Sequence, residues 1–479
     1  MSNALVLVLD GLRPDMLRPD LLPNLCTLID EGTRWRQART VFPSMTRVCT
    51  SSLASGAPPA VHGITHNKLL DPELGTVDTS SRADLGRIEA VRPLLDATTL
   101  GEALAAAGRR FAVVHTGSPG ATHLVNHKVA EHPGHWTWSA HGPEACSSAE
   151  LHEAIARQFG PTPEAGLPNH ARLAFATDIL LERVLEPEAA ELALVWFNEP
   201  DTSYHYKGLR SLEVVEVLAT LDRQIGRILA WWRRADIRER WTIAVLSDHG
   251  HVLTGEQIDL PAAFAEAGLD PDGQGGFDLV PGGTSGHLRL RDLDPARLAE
   301  IAHWLMLQPW CGHVLVRDDL ARQVPGALPL GAVTAGHPRA SDLHFTLRGG
   351  EEDLASGAGA AFFTGGVPSG GGMHGGLHPR ELANVIALAG PGIRTGRLEE
   401  RPAGLIDVAP SLLGILGVDR PASMTGRVLQ EAFSAAGEPP ETILTTHEAA
   451  HGSYRQSVRI ATIGSAAYVD AAHLAPAGD

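Results

Sequence analysis

Cysteine is scarce in this chain: the four present, Cys26, Cys49, Cys146 and Cys311, are widely spaced and form no CxxC pair. That excludes a disulfide framework or a thiolate metal cluster as the organising principle. Long apolar runs are also missing. The one nearest the start, Ala4-Leu-Val-Leu-Val-Leu9, stops at Asp10, well short of the ~18 to 20 residues a membrane span needs. The first residues carry no basic start and no cleavage signal, so the expectation is a soluble, cytoplasmic protein with no membrane partner. Basic side chains are in deficit: 39 Lys and Arg against 56 Asp and Glu leave a formal charge of −17. A broad nucleic-acid surface needs clustered Lys and Arg to replace counterions, so no nucleic-acid polymer is expected as a partner. A small anionic substrate would then need a local attractor, and bound metal ions would supply one.

What is present is a large store of apolar residues, 43% of 479, enough for one big α/β domain carrying an insertion. Three runs, Ala4–Leu9, Leu192–Phe197 and Thr242–Leu246, lack polar alternation, as strands covered by helices on both faces should. A fourth, Asn384–Ala389, ends in Gly-Pro-Gly. Between them, Ser211–Arg234 carries apolar residues at helical spacings of three and four. The alternation predicts a doubly wound, mostly parallel sheet flanked by helices. From about Leu253 to Val367 the rhythm breaks. A helix candidate (Pro295–Leu307) and short strands (His287–Leu290, His313–Val316, His344–Leu347) predict an inserted smaller α+β lid domain over residues 253–367. Residues 1–252 plus 368–479 would then form the catalytic domain. Gly357–Gly376 is glycine-rich and suited to close backbone approach, but lacks the GK[ST] ending of a nucleotide loop. Ser453–Val469 reads as a hairpin on the sheet edge.

The chemistry lies at the strand ends. The first ends in Asp10-Gly11, the second leads into Asn198-Glu-Pro-Asp201-Thr-Ser-Tyr-His205, and the third ends in Ser247-Asp248-His249-Gly250. In an open α/β sheet, ligands bind beyond the carboxyl ends of the strands. Carboxylates and neutral imidazoles delivered there are suitable zinc ligands, at about 2.0 to 2.2 Å. Three aspartates on one rim would repel one another unless cations lay between them, and two metals is the economical reading. Thr46 opens a helical stretch, where a bound metal and the helix dipole would favour its alkoxide. Asn67, in the turn Val61-His-Gly-Ile-Thr-His-Asn67, could donate to a phosphoryl oxygen.

Singly, each residue has an ordinary explanation. Asp10 could cap a turn, Thr46 a helix, and Asp248-His249 could be a satisfied buried pair. Asn67 could be only a turn residue, and Arg47 could serve a surface ion pair. His447-Glu-Ala-Ala-His451 has the HExxH spacing of a metalloprotease, but Gly452 follows at once and a strand-like Thr442–Thr446 precedes it, so no sustained helix is expected. His115-Thr-Gly-Ser-Pro-Gly120 reads as a plain strand-to-helix loop.

In order and register, the set resembles the alkaline phosphatase superfamily, and within it the type I phosphodiesterase/nucleotide pyrophosphatase branch, with phosphonoacetate hydrolase a close relative. That branch places its nucleophilic threonine ten residues before a glycine, sixteen before the His of an HG turn and twenty-one before an asparagine; Thr46, Gly56, His62 and Asn67 match all three intervals. The DxxxH pair is similar at Asp201 and His205, the DH at Asp248 and His249, and the late His-Gly at His374-Gly375, with His378 a nearby rival. Ile406–Gly417 resembles the family's closing helix. The match covers roughly residues 1 to 80, 190 to 252 and 370 to 420. The resemblance implies two divalent cations, zinc in preference to manganese. Asp201, His205 and His374 would hold one; Asp10, Asp248, His249 and Thr46 the other. Thr46 would form a phospho-threonine intermediate, with Asn67 stabilising the transition state. Where nucleotide-cleaving members carry an aromatic residue after the nucleophile, this chain has Arg47, which favours an anionic group on the substrate; Lys68 is a second candidate contact. The expected activity is hydrolysis of small phosphate esters. Phosphonate or monoester hydrolysis on the same scaffold is the alternative, and a catalytically silent metal-binding protein the rival from another class. A homodimer is compatible with the sequence.

Overall fold

The computed structural model describes residues 2–474 apart from 270, 274, 275, 436 and 438. Its centre is an eight-stranded sheet. The strands are Asn3–Leu9 (β1), Thr33–Trp35 (β2), Phe111–His115 (β3), Trp136–Ser139 (β4), Leu192–Phe197 (β5), Trp241–Leu246 (β6), Ile386–Ala389 (β7) and Arg397–Glu399 (β8). They lie in the order β8-β2-β7-β6-β1-β5-β3-β4. The middle strands β6, β1, β5 and β3 run parallel, whereas β7 is antiparallel to both neighbours. Alternation within β1 shows why the apolar runs are continuous. Ala4, Val6 and Val8 enter one core with helices Thr46–Ser55 and Val408–Leu416; Leu5, Leu7 and Leu9 enter the other with Pro23–Asp30 and Leu212–Trp232. Both faces are dry, so every position must be apolar. The long helix starts where Ser211 caps Val214 N–H at 3.1 Å.

The interrupted region builds a second core. Strands Phe277–Pro281, Ser285–Leu290, Leu343–Leu347, Cys311–Val316 and Leu328–Pro329 form a separate sheet in that order, backed by helix Pro295–Met306. Of the predicted boundaries, 252 opens a strand of a small three-stranded sheet, Val252–Gln257, Ala361–Phe363 and Gly372–Met373, and 367 lies in the connection between its last two strands. Chain entry and exit are therefore laced together.

The expected C-terminal hairpin needs correction. It does not extend the central sheet, whose edges are β8 and β4. Strands Thr442–His451, Tyr454–Ile463 and Ala466–Leu474 make a sheet of their own. Tyr454 donates its hydroxyl to Gly312 O at 2.8 Å, and the Gln456 side chain bonds both backbone groups of Val314. Val458, Ile460 and Val469 pack with Phe42, Leu377 and Leu382. The sheet is thus a brace between the second core and the segment before Thr46. His447 and His451 lie on its outer strand, so the HExxH string has no helix to bring its imidazoles together. No helix among the described residues is long and apolar enough to cross a membrane.

Candidate metal and phosphoryl-transfer site

The three strand ends deliver their acidic side chains to one point. Asp10 follows β1, and its Oδ2 accepts the indole N–H of Trp196 at 2.9 Å. Asp248 follows β6, and its Oδ1 accepts Gly11 N–H at 3.0 Å. Each carboxylate is thereby fixed by one oxygen, and the other, Asp10 Oδ1 and Asp248 Oδ2, is buried without a partner. His249 Nε2 stands 3.6 Å from the first and 3.2 Å from the second. Thr46 Oγ1, on the first helical residue after Met45, is 3.2 Å from the same nitrogen. Buried polar atoms left unsatisfied are costly, and anionic oxygens converging on an imidazole are what a divalent cation would satisfy.

The second group surrounds Asp201, the first residue of helix Asp201–Lys207. Its Oδ1 lies 3.3 Å from His205 Nε2, 3.5 Å from His374 Nε2 and 2.9 Å from His251 Nε2. Three of the site's histidines share one device. Nδ1–H of His205 donates to Gly372 O at 2.7 Å, that of His374 to Ser44 O at 2.7 Å, and that of His249 to Gly250 O at 3.1 Å. In the neutral ring such a bond places the proton on Nδ1 and leaves Nε2 to ligate, the tautomer a metal ligand needs. The rings of His249 and His374 stack at 3.6 Å, joining the two groups. Ligand atoms of Asp10, Asp248 and His249 all lie within 4.8 Å of one another, as do those of Asp201, His249, His251 and His374.

Electrostatics agree with this picture. Burial pushes the Asp10 and Asp248 carboxyls up, and their mutual repulsion adds to it at Asp10. Burial acts the same way on Asp201, but His205 and His251 beside it hold that carboxyl well below its usual range. Burial and the neighbouring His249 keep His374 neutral. A site that penalises the Asp10 and Asp248 carboxylates and keeps the His374 imidazole neutral is one prepared for cations.

The remaining predicted residues fall into place unevenly. His378 is not in the cluster; it caps helix Pro379–Leu382 and reaches Gly350 O. Asn67 Oδ1 accepts Arg47 N–H at 3.1 Å, which frees its amide NH2. Arg47 Nε is buried without a partner, and Lys68 makes a 3.7 Å ion pair with Asp78. These three residues, with Thr46, His66, Asp201, His205 and His374, line a cavity of about 270 Å3. The second sheet closes it with the turn Pro281-Gly282-Gly283, a contact the sequence did not reveal. A side chain on Gly283 (φ +72°) would meet His374 O at 2.5 Å, so only glycine lets the turn approach. His251 was also missed; it lies two residues beyond His249, across Gly250. The glycine-rich segment does approach closely, but its neighbour is His205, whose carbonyl a side chain on Gly371 would meet at 2.2 Å. His115, the last residue of β3, stacks on Trp196 and accepts Gly117 N–H.

Known proteins resemble this chain in sequence and in fold. The chain is 24% identical over 248 residues to mouse ectonucleotide pyrophosphatase/phosphodiesterase family member 1, a match covering 51% of this chain and 24% of that protein. It is likewise 24% identical over 258 residues to the venom phosphodiesterase CdcPDE of Crotalus durissus collilineatus, covering 52% and 26%. The chain therefore matches only about a quarter of the length of these relatives. Among solved structures, the alkaline phosphatase PafA superposes with a TM-score of 0.68 at 14% identity, covering 90% of this chain and 98% of that one. An inactive murine ectonucleotide pyrophosphatase/phosphodiesterase 5 in complex with AMP gives 0.61 at 16%, covering 91% and 100%. At such identities these two show a common fold. The model of the type I phosphodiesterase/nucleotide pyrophosphatase family matches residues 4–350, and the chain belongs to that family.

Proposed function

We propose that this chain is a metal-dependent hydrolase of small phosphate esters, of the phosphodiesterase/nucleotide pyrophosphatase type, with Thr46 as its nucleophile. The observation that carries the reading is the pair of buried, unpartnered carboxylate oxygens of Asp10 and Asp248 converging on His249 Nε2, with Thr46 Oγ1 at 3.2 Å from the same atom. Asp10, Asp248, His249 and Thr46 would hold one divalent cation; Asp201, His205 and His374 the other. The all-nitrogen-and-oxygen donor set suits zinc, with manganese the second choice. When bound, such ions supply Lewis acidity that lowers the hydroxyl pKa and offsets charge on the phosphoryl oxygens.

The chain's own groups do the rest. Thr46 Oγ attacks phosphorus; the Oγ–P bond forms as the ester P–O bond breaks, and the alcohol leaves. Water then cleaves the phospho-threonine, releasing phosphate product and restoring the hydroxyl. The helix amino end under Thr46 favours the negative charge gathered there. Asn67, its carbonyl committed to Arg47 N–H, has its NH2 available for an equatorial oxygen. The turn 281–283 and the sheet behind it act as a lid that limits water and substrate size.

A second reading has a specific observation in its favour. Arg47 and Lys68 bring two cationic groups to the cavity, and no Phe, Tyr or Trp is found among the described residues lining it. That favours a substrate with a further anionic group over one with a stacked nucleobase, as in a monoester or a carboxylated phosphonate. Assays with bis-p-nitrophenyl phosphate, p-nitrophenyl phosphate and phosphonoacetate, before and after chelation, separate the two. Fastest turnover of the diester supports the first reading; preference for a dianion supports the second. Hydrolysis of all three unaffected by chelation would overturn both.

A further inference from the structure

His251 stands apart from the other histidines of the cluster. His205, His249 and His374 each give Nδ1–H to a backbone carbonyl. His251 Nδ1 has no partner and is buried. Its Nε2 instead lies 2.9 Å from Asp201 Oδ1. A carboxylate only accepts, so the proton of this imidazole is on Nε2 and the ring is a donor. Distances separate the roles as well. Two ligands about 2.1 Å from one tetrahedral ion stand about 3.4 Å apart, which matches His205 and His374 against Asp201 Oδ1, at 3.3 and 3.5 Å. The 2.9 Å of His251 is a hydrogen-bond length. The backbone is also shaped around this ring: a side chain on Gly11 would meet its Nε2 at 2.6 Å, and one on Gly372 its Nδ1 at 2.8 Å. Gly11 follows Asp10, and Gly372 O holds His205, so the ring is wedged between elements of both groups.

We infer that His251 is a positioning residue of the metal centre: it donates Nε2–H to Asp201 and aims that carboxylate at the ion shared with His205 and His374. Metal-ligating carboxylates are commonly held by such an outer hydrogen bond, and losing it typically weakens metal binding about 10- to 100-fold. The inference rests on the two-metal reading above. Its test uses the whole chain in three forms: wild type, His251→Leu, which keeps bulk but removes the donor, and His251→Gln, whose amide nitrogen restores one. Zinc affinity is read by competition with a chromogenic chelator, and coordination by the cobalt(II) absorption spectrum; thermal melting checks the fold.

The expected result is two equivalents in all three, one of them bound about 10- to 100-fold more weakly in His251→Leu and close to wild type in His251→Gln, with the tetrahedral cobalt bands unchanged. Equal affinity in wild type and His251→Leu would overturn the inference and leave the two-metal reading intact. Loss of one equivalent in His251→Gln with altered cobalt bands would make His251 a ligand instead, also overturning it. Absence of metal from the wild type would sink the two-metal reading itself. Should His251→Leu fail to fold, His251→Gln alone decides between donor and ligand.

Discussion

The carboxyl rim of the central sheet and the second sheet contribute to one cavity in opposite ways. The rim supplies reactive side chains: Asp10, Asp248 and His249 stand close behind strands buried on both faces, Asp201 and His205 on the short helix after a third, and Thr46 at the start of a helix. The second sheet supplies a backbone turn, Pro281-Gly282-Gly283, which brings no ionisable group to the cavity. Two of its imidazoles, His287 and His344, are buried behind His66, with ring centroids 4.0 Å (His287) and 6.4 Å (His344) from it. Chemistry placed on rigid strand ends and shape placed on a turn can be altered independently, and mutations should divide along that line.

Thr46→Ala should show the largest effect. If the rim carries the chemistry, kcat falls at least about 1,000-fold while the folded chain keeps its metal; steady-state kinetics with metal analysis checks it, and residual activity above a tenth of wild type would break the division. Next is Arg47→Ala. A buried guanidinium contributes about 1.5 to 3 kcal/mol to an anionic partner, so KM for a doubly charged substrate should rise about 10- to 100-fold and that for a neutral-armed diester much less. An equal rise for both would remove Arg47 from recognition.

Gly283→Ala probes the turn. Its left-handed φ and the 2.5 Å approach to His374 O should cost about 1 to 3 kcal/mol of stability and raise KM, with the metal content unchanged. A lowered melting temperature with unchanged KM would mean the turn is scaffolding only.

Glu381 should act on stability alone, in a pH-dependent way. It accepts Thr284 Oγ1 from the second core and the N–H groups of Gly376 and His378. Burial raises its pKa to about 7. Between the unfolded carboxyl value near 4.3 and 7, the folded chain holds a proton that the unfolded chain has lost. Stability therefore falls as pH rises through that window, by about 4 kcal/mol at most. In Glu381→Gln the melting temperature should lose this part of its pH dependence; an unchanged profile would refute the assignment.

Much of the rim was legible because its signals are local. An uninterrupted apolar run ending in Asp or Asp-His reports both a two-sided strand and the polar group carried at its carboxyl end, so Asp10, Asp248 and His249 could be placed from the sequence alone. Asp201, His205 and His374 depended on the family's spacing. The features that escaped were non-local. An apolar run such as Ile386–Ala389 looks the same in either direction, so its antiparallel pairing was invisible. The approach of Gly283 to His374 is set only by the fold. His251 sits beside a recognisable pair, yet only the fold shows that its proton faces Asp201.

The most direct test of the central claim is titration of the chelator-stripped chain with zinc, following hydrolysis of its best substrate. A two-metal centre requires no activity in the stripped chain and a rise that levels off at about two equivalents per chain. Full activity without added metal, or a rise indifferent to zinc, would contradict it.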